Sequence, residues 1–289
     1  RLQQPGGTLE SLAASPLRVA LEGETGVNED ASIRPVRSAL QLSSKGLNAE
    51  AATVIEQDFA RLALAEPASF ALTLTPELAA RWQDSASPAL ALRGNARLEG
   101  SVARLVVPLA PFDFSGLEAS GEAALSGPDP EGVTLESPGG SLTRLQATRA
   151  SFELNGADGG RGRLEIDGRI GAPGGEPGDI SVKASASRLL GAEGTLAPGT
   201  MSLELDGAAG RLPVALVDQL LDLGGTASAT LGPTTDLELS ARLERMRGPL
   251  SVTLDAPYAR AAIQARLGDE GLTLSEPLDA QVEPTSEFG

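Results

Sequence analysis

The chain has 289 residues, long enough for one large β-domain or two smaller ones with a buried core. Its 39 acidic residues against 23 basic ones give a net charge of −16, which argues against nucleic acid or an anionic membrane surface as direct partner, since both need a basic face. Histidine and cysteine are absent. With them go Ser-His-Asp and Cys-His nucleophile systems, histidine- or thiolate-bound metals and any disulfide framework.

Residues 1–16 are rich in Gly, Pro and Ser, with a short helix predicted over 9–14. Strands are predicted at 17–23, 39–43 and 49–55, followed by a strand with Leu62 and Leu64 on one face. Glu66-Pro67 then reads as a corner, since proline cannot donate to a ladder. Phe70, Leu72 and Leu74 alternate again beyond it. Thr75-Pro76-Glu77 offers a capping hydroxyl, a proline at the first helical position and an acid in the first turn, so a two-turn helix is predicted over 76–83. Trp82 is expected to anchor it on the sheet.

Strands resume at 89–93, 96–109, 117–126 and 142–155, then at 163–169 and 202–206. In each, Leu or Ile alternates with Glu, Asp or Ser, as Leu164 and Ile166 do with Glu165 and Asp167, or Leu203 and Leu205 with Glu204 and Asp206. Gly/Pro-rich turns separate them at 127–132, 155–160 and 172–175, the signature of an antiparallel sheet of many strands. A helix is predicted over 213–223, with Val214, Val217, Leu220 and Leu221 on one face and Gly224-Gly225 ending it. Strands are then predicted at 226–231, 235–245, 249–254 and 258–267. Leu237, Leu239 and Leu243 are expected to share a surface with Leu250, Val252 and Leu254.

Near its end the chain restates itself. Leu62-Ala-Leu-Ala-Glu-Pro67 returns as Leu272-Thr-Leu-Ser-Glu-Pro277 at an offset of 210. The ungapped register carries ten identities across residues 40–77, where composition alone gives roughly four. Residues 1–210 thus read as one β-rich repeat unit and 211–289 as the opening of a second copy in a continuous sheet. The chain starts at Arg1 and stops within that copy, so a longer parent carrying further copies is expected.

Chemistry is sparse. The segment 159–167 resembles a calcium-binding Gly-Gly-x-Gly-x-Asp turn, but Leu164 stands where a carboxylate is required. No phosphate-cradling Gly-x-x-x-x-Gly-Lys-Ser/Thr loop exists. A cation held by Asp129 and Glu131 is the one remaining metal reading. The scattered acids read as a solvated face, and no enzyme activity and no cofactor are expected.

Phrases such as Ser202-Leu-Glu-Leu-Asp-Gly207, Phe114-Ser-Gly-Leu-Glu-Ala-Ser-Gly-Glu-Ala-Ala-Leu125 and the helix start at 212–218 resemble the AsmA/TamB-like superfamily, in the long repeat form of planctomycete-type bacteria. These are envelope proteins akin to bridge-like lipid transfer proteins. The resemblance implies a curved sheet forming a trough with an apolar interior for acyl chains. It also implies a periplasmic setting, a membrane anchor outside this chain, and a role in phospholipid transport or outer-membrane assembly. It brings no catalytic residues with it.

The expectation is therefore an all-β, mainly antiparallel fold: an extended, curved multi-strand sheet or trough with one or two short covering helices. Leu164, Ile166, Leu203, Leu205, Leu237, Leu239, Leu243, Leu250, Val252 and Leu254 are the candidates to face phospholipid acyl chains. A structural or adhesive β-sandwich module, its apolar faces closed on themselves, is the alternative.

Overall fold

The structure is a computed structural model that describes residues 18–24, 35–44, 46–55, 60–82, 90–109, 113–128, 132–137, 140–191, 194–220 and 226–282. Most of these residues lie in strands and few in helices. The first strands are β1 (Arg18–Glu24), β2 (Val36–Ser43), β3 (Leu47–Ile55), β4 (Arg61–Leu64), β5 (Ala68–Leu74) and, after helix α1 (Pro76–Trp82), β6 (Ala91–Arg93) and β7 (Ala96–Pro108). There follow β8 (Glu118–Ser126), β9 (Val133–Glu136), β10 (Leu142–Asn155), β11 (Arg161–Gly171), β12 (Gly178–Ser187) and β13 (Ser202–Pro213). Helices α2 (Val214–Leu220) and α3 (Thr226–Leu231) precede β14 (Thr234–Glu244), β15 (Gly248–Asp255), β16 (Ala259–Gly268), β17 (Gly271–Leu274) and β18 (Asp279–Val282).

All described pairings are antiparallel and build one sheet. Across its width run β1, β2, β3, β4 with β5, β7, β8, β10, β11, β12, β13, β14, β15, β16, and finally β17 with β18. These are fourteen strand positions, roughly 62 Å from first to last at the usual inter-strand spacing. Period-two alternation explains why a single layer suffices: apolar side chains leave one face and charged ones the other.

The Glu-Pro segment, read from sequence as strand–corner–strand, is a single strand position with a break. Leu64 opposes Thr53 and Ser69 opposes Glu50, so β4 and β5 lie end to end against β3, with Ala65–Pro67 as an excursion. Glu66-Pro67 is therefore a break within one strand position and not a corner between two strands. The same holds for β8 and β9, which both pair with β10 on either side of the 127–132 turn. Proline fits such a break because its missing N–H would have faced no partner there.

The second statement of the Glu-Pro phrase has the same pairing. Leu274 opposes Ala265 and Asp279 opposes Ala262, again with an excursion between them. The Ala65 N–H donates to the Ala52 carbonyl and the Ser275 N–H to the Gln264 carbonyl, both at 2.8 Å. The ungapped register does not hold throughout, however. β2 and β3 correspond to β15 and β16 at an offset of 212, as in Ser43 opposite Asn48 and Asp255 opposite Arg260. β4 and β5 correspond to β17 and β18 at 210. The connection before the broken strand is two residues shorter in the second case, and a shift of two preserves the faces. In space the correspondence spans ten strand positions.

The described core lies along one set of strand ends, from β5 to β14, in the middle of the strand order. Leu92, Ala96 and Val133 form one cluster, joined by Leu74, Ala79, Leu125, Leu135 and Leu145. Ile170, Leu212 and Leu216 form the second, joined by Leu90, Leu145, Ile180, Ala209 and Leu237, so α2 covers these strand ends. The Thr75 hydroxyl accepts from the Leu78 N–H at 3.3 Å and caps α1. The Trp82 side chain lies outside the described residues, as do the predicted helix at 9–14 and the Asp129–Glu131 pair.

Residues 226–231, predicted as a strand, are helix α3. Local composition does not favour helix there, and Asp218 supports it from outside: its Oδ1 accepts from the Ala227 N–H in the first turn at 3.2 Å. β9 and β12 have no counterpart among the predicted strands.

Candidate functional site

The strand register settles which side chains share a face, because directly opposed residues point the same way. All ten candidate residues fall on one face of the run from β11 to β16. One row across the strands reads Leu164, Ala184, Leu205, Ala241, Leu250, Ala265. A second reads Ile166, Val182, Gly207, Leu239, Val252, Ile263. Leu237 and Leu254 stand beside Ala209 and Ala261 in a third, and Leu203 and Leu243 oppose each other in a fourth.

Burial varies along these rows, and Leu243 in the fourth is 7% exposed. Ala241 and Ala265, flanked by leucines, are 4% and 2% exposed, whereas Leu205, Leu239 and Leu250 are half-buried and Leu164 is 39% exposed. The two described core clusters contain no residue of the first, second or fourth row. Leu237, in the third, touches the cluster that α2 caps. Among the described residues, the apolar face is thus closed by helix at one set of strand ends and left uncovered along the middle rows.

The face continues toward β5 through two aromatic residues. Phe70 opposes Gly100 and Phe152 opposes Gly121. A Cβ at Gly100 would lie 2.6 Å from the Phe70 ring, and one at Gly121 would lie 2.9 Å from that of Phe152. Each ring therefore lies across the glycine of its neighbouring strand. This brings the aromatic surface flat onto the sheet and fills a site where no side chain stands.

The opposite face is charged. Glu165, Lys183 and Asp206 stand in one row, alternating in sign. Arg163 pairs with Glu165 at 2.6 Å, Arg97 with Glu99 at 2.5 Å and Arg260 with Asp255 at 2.8 Å. The described concavities open on this side. One of about 980 Å³ is lined by Arg163, Ser185, Glu204, Arg242 and Arg266, and at the strand ends also by the candidates Leu203 and Leu243. An apolar trough interior is what the family resemblance implies; the apolar face seen here is an open surface, and the hollows lie among the charges.

Groups with displaced acidity lie away from the apolar rows. Glu136 is held below the usual carboxylate range by its hydrogen bond and ion pair with Arg93. Asp113 is lowered by the Ser115 hydroxyl and N–H, and Glu77 by the backbone at the α1 N-terminus and the Thr75 hydroxyl. Among the described residues no three acids gather to hold a metal ion, and no helix is long and apolar enough to cross a membrane.

Ile180, Val182, Ala184 and Ala186 of β12 complete the face between β11 and β13, yet no strand is predicted there. The signal was present in Ile180-Ser-Val-Lys183, but Ala and Ser in the second half blur the contrast. The Phe–Gly pairs carry no sequence signature, because they depend on register. Comparison with family models, curated proteins and solved structures gives no significant match.

Proposed function

We propose that this chain is a segment of an AsmA/TamB-like envelope protein whose apolar β-face contacts phospholipid acyl chains. The observation that supports it is the uncovered run of aliphatic rows from β11 to β16, with helix and core clusters confined to one set of strand ends. From Ile166 to Ile263 the second row crosses five strand spacings, roughly 24 Å. That exceeds the ~15 Å of a single leaflet's hydrocarbon. Leu, Ile, Val and Ala offer a wall without directional hydrogen bonds, and each methylene buried on it contributes about 0.8 kcal/mol, so area alone holds a chain that can still slide. We extend the proposal to a repeating unit of about 210 residues in a longer periplasmic parent, anchored outside this chain and without catalytic activity.

The test places a photo-crosslinking residue at Leu239, Leu205 or Ile166, and a control at Glu238 on the charged face, in the full-length protein in cells. Lipid adducts at the first three and none at Glu238 are the expected result. Protein adducts at those positions with no lipid would make the face an interface of a structural or adhesive module.

A further inference from the structure

We infer that the hollow of about 980 Å³ at the strand ends away from α2 is a binding site for a phosphoryl group, held by Arg242 and Arg266 from either side of Pro249. It stands on charge and strand register, so the lipid reading can fail without touching it.

Charge sets this place apart. The chain carries −16 overall, yet six arginines and three glutamates line the hollow. Two of those arginines are committed to acids: Arg163 pairs with Glu165 along its own strand, and Arg247 pairs with Asp269. Arg161, Arg188, Arg242 and Arg266 make no ion pair among the described residues, although Glu204 directly opposes Arg242. Arg97 and Arg260, elsewhere on the same face, each have an acidic partner.

Register brings two of the four together. The pairing that sets Ala241 against Leu250 and Glu244 against Arg247 places Arg242 against Pro249, and Pro249 opposes Arg266. Opposed residues point the same way, so both arginines rise from the charged face two strand positions apart, roughly 10 Å. Between them stands a proline ring, with no carboxylate to neutralise either and no long side chain to fill the gap. Two guanidinium forks can close on one tetrahedral anion across that distance, each donating a pair of N–H groups. The ligand must be compact. Glu153, Glu204 and Glu244 ring the hollow, and Glu165, Asp206 and Glu238 lie further along the face, so an extended polyanion meets repulsion. A single phosphoryl group does not. Its source is a soluble phosphate or a lipid headgroup, since Leu203 and Leu243 of the fourth apolar row line the same hollow.

The probes are inorganic phosphate and dihexanoyl phosphatidic acid below its critical micelle concentration, each titrated calorimetrically into the chain at constant ionic strength. Tighter binding of the lipid would assign the site to a headgroup, and binding no tighter than phosphate would assign it to a soluble ligand. Binding of neither would overturn the proposal. The double variant Arg242→Gln/Arg266→Gln is expected to lose ~10-fold or more in affinity for whichever probe binds, while Arg97→Gln keeps it. Unchanged affinity in the double variant, or an equal loss in Arg97→Gln, would also overturn it. A second measurement uses the unsubstituted chain, with phenylglyoxal modification of each arginine followed by mass spectrometry. Phosphate in place of chloride is expected to slow modification at Arg242 and Arg266 and leave Arg97 unchanged. A uniform effect, or none, would refute the site.

Discussion

Leu239→Asp separates an open apolar face from a closed core. Leu239 stands in the second row between Gly207 and Val252, half-buried, with no described core cluster over it. Full burial of a leucine is worth about 1.5–3 kcal/mol, so a half-buried one loses roughly 1 kcal/mol on replacement. The new carboxylate keeps much of its water on an uncovered face, which adds little to that cost. Val214, at 0% exposure at the covered strand ends, provides the contrast. Val214→Asp strands a charge in a dry site, at a cost of about 4 kcal/mol or more. With roughly 2–4 °C of melting temperature lost per kcal/mol, Leu239→Asp is expected to lower Tm by only a few degrees, and Val214→Asp by about 10 °C or to prevent folding. Thermal denaturation followed by far-UV circular dichroism reads both. A loss at Leu239 equal to that at Val214 would refute the open face.

The β14–β15 hairpin closes through Arg245 and Met246, whose φ values of 51° and 60° are left-handed, with Glu244 and Arg247 exchanging hydrogen bonds of 2.7 and 3.0 Å. Arg245→Asn with Met246→Gly supplies residues suited to that turn and is expected to stabilise by about 1 kcal/mol in urea denaturation. Gly121→Val places a Cβ 2.4 Å from the Ser101 carbonyl and against the Phe152 ring, so a loss of roughly 2 kcal/mol is expected in the same assay. Asp218→Ala removes the acceptor at the first turn of α3 and is expected to cost about 1–2 kcal/mol. Glu77, Asp113 and Glu136 have lowered folded-state pKa values, so the stability they add is present above their unfolded values near ~4 and is lost as pH falls through the folded ones. Tm is expected to fall below about pH 4, and Glu136→Gln is expected to make that fall shallower.

Alternation made most of the sheet legible, because a period of two needs only contrast between successive residues. Where contrast failed, legibility failed. Ala184-Ser-Ala-Ser187 pairs as regularly as Leu203-Glu-Leu205, but its small side chains differ little in hydropathy. Local pattern also cannot distinguish a turn between two strands from an excursion within one. Residues 127–132 carry the glycines and prolines of a hairpin, and only the shared partner β10 shows that β8 and β9 occupy one position. Helix α3 was hidden for the opposite reason. The acceptor that supports it, Asp218, lies eight residues before the helix starts, on a different element. The ten candidate residues were individually legible as one face of each strand, but their union into continuous rows came from register alone.

Why this chain can repeat and remain one sheet follows from the count of strands between equivalent positions. In an antiparallel meander each step reverses chain direction, so only an even number of positions brings a unit back in the same orientation. Ten positions separate β2, β3 and the β4–β5 pair from β15, β16 and the β17–β18 pair. Facing obeys a parity of its own. A unit returns its apolar side chains to the same surface only if length differences within strands are even, and the slip between the two occurrences is two residues. A slip of one would have turned Leu272 and Leu274 to the charged face and interrupted the aliphatic rows. Loops such as 172–175, lying outside the ladder, are free of that constraint. Variation can therefore accumulate in the connections while the face persists over any number of units. On the proposed reading, a surface that contacts acyl chains over several units would need that property, which a compact sandwich would not.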